Sequence, residues 1–274
     1  MLSVIIPAHD EAGYIGRCLA AVFEAEDPGC PVEVIVSANA CRDATVALAR
    51  GYEVVARRRG WPLVIIDRPE PGKPGALNAA EALAAPGTRV YLDADVVIAP
   101  AMLARLEEAL GVAEPRYASG RLSVELAASA FSRRYARFWT RLPFVAETVP
   151  GCGLFAVNAA GRARWGAFPD IIADDIFARL RFAPAERIAV PAPYLWPVAE
   201  GFGALVRVRR RQDAGVAEIA RRFPDLLANE DKPRIGLGRL LRLAASDPSG
   251  LAAYAAVALA VRARAPAREW SRGR

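Results

Sequence analysis

The first 110 residues of the chain repeat one rhythm. Short apolar runs alternate with helix-spaced segments, and each run ends in polar or turn-forming residues. Leu2–Ile6, Val32–Val36, Leu63–Ile66 and Arg89–Leu92 have the length and apolar content of buried strands. Between them, Ala12–Glu26 places Ile15, Leu19, Val22 and Phe23 at helical spacing. Asp43–Arg50 reads as a short helix opened by an acid, and Pro74–Ala84 as an Ala/Leu-rich helix with proline in its first turn. Ala101–Leu110 suits a further helix. This alternation predicts an α/β fold with a mostly parallel sheet, right-handed crossovers and helices on both faces. After residue 115 the rhythm loosens. Ser119–Leu126 and Gly153–Val157 suit strands, while Ala128–Leu142, Ile172–Phe182 and Leu205–Phe223 suit helices. Connected helices and an Arg-rich end follow Pro224.

Open α/β sheets gather ligands at the carboxyl ends of their strands. The residues expected there are Pro7, Ala8, His9, Asp10 and Glu11 after the first strand, and Ser37, Ala38, Asn39 and Asp43 after the second. Asp67, Arg68 and Pro71–Gly75 follow the third, and Asp93-Ala-Asp95 the fourth. Two carboxylates at i and i+2 behind a buried strand can both enter one cleft, where hard oxygen donors suit Mg²⁺ or Mn²⁺. Lys73 is one of only two lysines beside 34 arginines, and a compact ammonium is useful near phosphate. Asp174-Asp175 opens a predicted helix. The pair suits plain stabilisation of a helix N-terminus as well as a general base whose pKa is raised by its neighbour.

Other chemistries lose ground on the same residues. His9 is the only histidine, so no His-rich zinc site exists, and Cys18, Cys30, Cys41 and Cys152 show no Cys-x-x-Cys spacing. There is no Gly-x-Ser-x-Gly elbow and no Walker A loop. Gly151-Cys-Gly-Leu-Phe-Ala156 imitates a dinucleotide fingerprint but opens no convincing helix. Trp139, Trp165 and Trp196 offer faces for sugar rings, although core packing explains each of them too.

The formal net charge of +6 is unevenly placed. Residues 1–200 hold 21 basic and 23 acidic side chains, whereas residues 201–274 hold 15 basic and 7 acidic. The basic quarter includes the apolar stretch Leu251–Val261, too short to span a bilayer, which suits either a buried terminal helix or an interfacial one. Without a basic n-region or a long apolar h-region at Met1, the chain is expected to be cytoplasmic, with the inner face of the membrane as the alternative location.

Taken in order, four motifs resemble those of the family-2 glycosyltransferases with a GT-A fold. Val4-Ile-Ile-Pro-Ala-His-Asp-Glu11 is similar to the family's opening Pro-Ala-x-Asn-Glu, with Asp10 in the Asn place. Val34–Thr45 resembles its second-strand motif, with Asn39 where the family has a nucleoside-contacting aspartate. Gly72-Lys73-x-x-Ala-Leu-Asn78 matches its Gly-Lys loop, and Leu92-Asp-Ala-Asp95 its Asp-x-Asp metal motif. Asp174-Asp175 is similar to the family's Glu-Asp pair, whose second residue acts as the base. The Gln-x-x-Arg-Trp motif of processive synthases is absent, and Arg211-Gln-Asp-Ala-Gly215 is at best a remnant of the segment around it, with Gln212 in the Trp place.

The resemblance implies a GT-A-like, Rossmann-type sheet in residues 1–200. Its nucleotide-sugar half would cover about 1–115 and its acceptor half about 116–200, followed by a basic helical extension over 201–274. It implies a metal-dependent, inverting, non-processive glycosyltransferase using a nucleotide-diphosphate sugar. Pro7, Ala8, Glu11, Asn39, Lys73, Asp93 and Asp95 would bind the donor, Asp93 and Asp95 the Mg²⁺ or Mn²⁺. Asp175, with Asp174 beside it, would be catalytic. The acceptor is expected to be lipid-linked or a saccharide, with peripheral membrane contact through 201–274 and no nucleic acid. Two rival readings remain: a nucleotidyltransferase on a related sheet, and a basic membrane- or nucleic-acid-binding module without catalysis.

Overall fold

The computed structural model describes residues 1–233 and 235–263. The Arg-rich end expected after them lies outside the described residues. Eight strands form within that range: β1 (Leu2–Ala8), β2 (Val32–Asn39), β3 (Leu63–Arg68), β4 (Thr88–Leu92), β5 (Val97–Ile98), β6 (Tyr117–Val124), β7 (Leu154–Val157) and β8 (Arg187–Trp196). The helices of the first half are α1 (Ile15–Phe23), α2 (Thr45–Arg50), α3 (Glu53–Arg59), α4 (Lys73–Glu81) and α5 (Met102–Leu110). Those of the second half are α6 (Ala130–Trp139), α7 (Pro143–Glu147), α8 (Ala159–Arg162), α9 (Asp174–Arg179), α10 (Phe202–Arg222), α11 (Leu237–Ser246) and α12 (Pro248–Arg262).

The strands make one sheet in the order β3-β2-β1-β4-β7-β6-β8-β5. β3, β2, β1 and β4 are mutually parallel, as the βα rhythm predicts. β7 then runs antiparallel to β4 and to β6, and β5 antiparallel to β8, so the second half of the sheet is mixed. Alternation along each central strand sends side chains to opposite faces. Val4, Ile6, Val34 and Val36 pack in one cluster with Ile15, Cys18 and Leu19 of α1. Ile5 and Ile35 pack in another with Leu77 and Ala80 of α4.

The first four strands run to the ends their apolar patterns predict or up to three residues beyond, β2 furthest. β8 is a strand that those patterns do not predict. Val190, Ala192 and Tyr194 are buried while Pro191 and Pro193 point outward, so the period of two is present. Two prolines disguise it, since they cannot donate to a ladder. The predicted helix 172–182 is real only over α9. The stretch Leu251–Val261 falls within α12, which buries Ala253 and Val257 against Tyr135 of α6 and Leu205 of α10 and leaves Leu259 exposed. No described helix is long and apolar enough to cross a membrane alone; α11 and α12 pass that test only as a pair bent by 116°.

Candidate active site

The carboxyl ends of β1, β2 and β4 meet the start of α4 at one edge of the sheet. Asn39, 3% exposed at the end of β2, ties three of these pieces together. Its Nδ2 donates to the Ala8 carbonyl at 2.8 Å, and its Oδ1 accepts from the Gly72 amide at 3.0 Å. An aspartate could accept from Gly72 but could not donate to Ala8, which gives the Asn a structural reason to stand there. The next residue, Ala40, is held at φ 47°, a left-handed conformation that costs a non-glycine residue about 1–2 kcal/mol. Side chains from the second loop fix the first: Thr45 Oγ1 accepts from the Glu11 amide at 2.7 Å, and Asp43 Oδ2 from the Ala12 amide at 3.0 Å. His9 Nδ1 lies 2.6 Å from the Asn39 carbonyl oxygen.

Lys73 is the first residue of α4. Gly72 before it has φ 125°, a backbone state that only glycine adopts readily. Arg68, at the end of β3, donates to the Gly75 carbonyl and fastens that first turn to the sheet. The lysine is thereby aimed across the sheet edge. Its Nζ sits 2.8 Å from Asp93 Oδ1 and 3.0 Å from Asp174 Oδ2.

These groups line a single cleft together with Pro7, Leu77, Tyr91, Leu92, Gly151, Gly153, Phe155 and Asp175. Burial raises the pKa of Asp175 to about 6, helped by the charge of adjacent Asp174. Burial also raises Asp174, against the pull of Lys73. For Lys73 burial works the other way, but Asp174, Asp93 and Asp175 outweigh it and lift the ammonium's pKa above its ordinary value. The lysine side chain keeps 37% exposure, so solvent moderates both pairs. A carboxylate poised near neutrality beside a fixed cation can take a proton at working pH.

Of the residues expected at the site, Pro7, Lys73, Asp93, Asp174 and Asp175 are brought together in this cleft. Ala8 and Asn39 lie behind it, buried in the strand ends. Glu11 stands half-buried after β1. Asp95 is half-buried two residues beyond Asp93, close to α1: after burial itself, the charges of Asp95 and Asp93 are what push the Cys18 thiol up. The wall formed by Tyr91, Phe155, Gly151 and Gly153 was not legible as a site. Gly151 and Gly153 have φ 71° and 74°, and they lead into β7 rather than a helix, so the dinucleotide likeness is only a likeness. A Cβ on Gly153 would stand 2.8 Å from the Trp196 ring. Trp196 in turn packs against Trp139 with ring centroids 5.7 Å apart.

Residues 3–162 match the profile described as glycosyl transferase family 2. The chain belongs to that family. It is a glycosyltransferase, and the nucleotidyltransferase and non-catalytic readings give way to that membership. No curated protein matches the chain in sequence. Among solved structures, the chain is similar to the mannosyltransferase PcManGT from Pyrobaculum calidifontis in complex with GDP-Man and Mn²⁺. The TM-score is 0.61 at 23% identity, over 96% of this chain and 75% of that one. S. aureus TarS 1–349 with UDP-GlcNAc gives 0.51 at 14% identity, covering 95% and 81%. Glucosyl-3-phosphoglycerate synthase from Mycobacterium tuberculosis, with Mn²⁺, UDP and phosphoglyceric acid, gives 0.52 at 18%, covering 81% and 78%. At these identities the likeness shows the fold, a GT-A sheet flanked by helices.

Proposed function

We propose that this family-2 glycosyltransferase moves a sugar from a nucleotide-diphosphate sugar to an acceptor hydroxyl by a metal-dependent, inverting and non-processive reaction. The observation that carries the reading is the convergence of Lys73, Asp93, Asp174 and Asp175 on one cleft beside Pro7. Asp174 is already committed to Lys73, which leaves Asp175 as the base. Asp175 takes the acceptor proton while the acceptor oxygen bonds to the anomeric carbon. The bond from that carbon to the diphosphate oxygen breaks on the opposite face, and the nucleoside diphosphate leaves. Pro7, Ala8, Glu11 and Asn39 shape the nucleotide side, and the Lys73 ammonium faces the phosphates.

Asp93 and Asp95 present only hard carboxylate oxygens, and both are half-buried rather than sealed, so they fit a Mg²⁺ or Mn²⁺ ion. When bound, such an ion neutralises charge on the departing diphosphate. The Mn²⁺ in the PcManGT and glucosyl-3-phosphoglycerate synthase complexes supports this choice. Gln212, exposed on α10 where processive synthases have tryptophan, supports a single transfer per encounter. Transfer and hydrolysis assays over UDP-, GDP- and TDP-sugars with Mg²⁺ or Mn²⁺ test the reading. Turnover of none of them would refute it.

The charge excess of residues 201–274 and the exposed Leu237 and Leu241, one turn apart on α11, support a second element: peripheral contact with the anionic inner face of a membrane and a lipid-linked acceptor. Cosedimentation with anionic but not neutral vesicles at low salt is the expected result. No binding to either would count against it.

A further inference from the structure

The helix that carries Asp174 and Asp175 is fastened largely by a part of the chain beyond residues 3–162. α9 has six residues, too few to persist on its own hydrogen bonds, and its N-cap residue, Ala173, has no side chain able to cap it; within the first turn Asp175 Oδ1 accepts from the neighbouring amide of Ile176 at 2.8 Å. Its first turn also holds two adjacent carboxylates.

Residues 215–231 grip it at both ends. At the entry, Glu218 Oε2 accepts from the Ile172 amide at 3.0 Å. The other oxygen of Glu218 is held by Arg222 at 2.8 Å, and the same guanidinium donates to the Asp170 carbonyl at 2.6 Å. Gly215, buried in α10, lies against the residue before the acidic pair. A Cβ at 215 would come within 2.9 Å of Ala173 Cβ and 3.4 Å of the Ala173 nitrogen. At the exit, Arg179 is 1% exposed and donates to Asp231 Oδ1 and Glu230 Oε1, each at 2.6 Å.

We infer that residues 215–231 are a clamp that sets the position of the catalytic carboxylate, with Gly215 and Glu218 as positioning residues for glycosyl transfer. The inference rests on the assignment of Asp175 as the base. Gly215 is the most informative member. It lies inside a 21-residue helix, where alanine is the better helix former. Close approach to α9, not the stability of α10, therefore accounts for it. A base must stay within hydrogen-bond reach of the proton it takes, and a shift of about 1 Å is enough to cost about a hundredfold in rate.

The test compares Gly215→Ala, Glu218→Ala, Glu218→Gln and Asp175→Asn in the full chain, measuring initial rates against donor and UDP binding by calorimetry. Gly215→Ala and Glu218→Ala are expected to lower kcat about tenfold or more, with donor KM and UDP affinity within about twofold of the parent. Glu218→Gln keeps an oxygen for the Ile172 amide and is expected to hold kcat within about twofold. Undiminished kcat in Gly215→Ala and Glu218→Ala, with Asp175→Asn inactive, would overturn the clamp alone. So would a parallel loss of UDP-binding stoichiometry, which marks general unfolding, or a Glu218→Gln variant as slow as Glu218→Ala. Transfer surviving Asp175→Asn would overturn the base assignment and the clamp with it.

Discussion

Lys73 and Asp174 are far apart in the chain and meet at 3.0 Å, Nζ to Oδ2. The carboxylate is 5% exposed and the lysine also holds Asp93, so one cation joins the end of β4 to the start of α9. Replacing Lys73 by methionine keeps the stem and removes the charge. Asp174 is then left buried without its counter-ion, a costly state. We expect kcat/KM to fall by about 10²-fold or more, with UDP binding weakened in calorimetry. A variant within threefold of the parent would show that the lysine only decorates the loop.

Asp175→Asn tests the base directly. General-base catalysis contributes about 10²–10⁴-fold, and a loss of that size is expected while UDP still binds. In the parent enzyme the rate should fall as pH drops below about 6, because burial and the adjacent Asp174 hold Asp175 protonated there. The stability effect has the opposite sense. An acid whose folded pKa is raised costs the fold most above that pKa, and the cost vanishes below the unfolded value near 4. Asp175→Asn should therefore raise the melting temperature at pH 8 by about a few degrees and by less as pH falls from 6 to 4. A melting temperature lowered at pH 8 would contradict the burial argument.

Chelation separates the metal ligands from the rest of the site. Removing divalent ions should stop transfer in the parent and weaken UDP binding, and added Mn²⁺ should restore both. In Asp95→Asn the restoration should fail or require much higher Mn²⁺. Equal recovery of both proteins in titration calorimetry would remove Asp95 from the metal site.

Asp247 holds the C-terminal helices to the rest of the enzyme. It accepts from Arg137 of α6 at 2.8 Å and 2.5 Å and caps α12 through the Gly250 amide at 2.9 Å. The bonds from Arg137 hold its pKa at about 2. Loss of the cap alone costs about 1 kcal/mol, so Asp247→Ala should lower the melting temperature by about 2–4 °C near neutral pH. The contribution is complete above the unfolded value near 4 and disappears as pH falls toward 2, so the gap between parent and variant should close over that range. A gap that stays constant down to pH 2 would exclude the ion pair as its source.

The parallel βα half was legible because its determinants are local. Buried parallel strands such as β1 are continuous apolar runs, and the polar residues that stop them, Pro7 and Asp93 among them, are by topology at the ligand edge. Asp174 and Asp175 were visible as an acidic pair, but not as neighbours of Lys73, because proximity across the sheet edge depends on how β4, α4 and α9 pack. The sequence shows Gly151–Ala156 as a glycine-rich turn before a strand but not as a wall of the cleft, because β7 pairs antiparallel with β4, a choice no short-range pattern encodes. β8 was hidden by Pro191 and Pro193, which lower strand propensity although their outward faces leave the buried alternation intact. The sequence by itself thus determined the parallel βα half, the ligand edge and the chemical kinds of residue along it. Only the tertiary structure decided which carboxylates pair with Lys73, and that Gly215 and Glu218 of α10 lie against the segment leading into the helix that bears Asp174 and Asp175, because these relations join residues far apart in sequence through packing and charge.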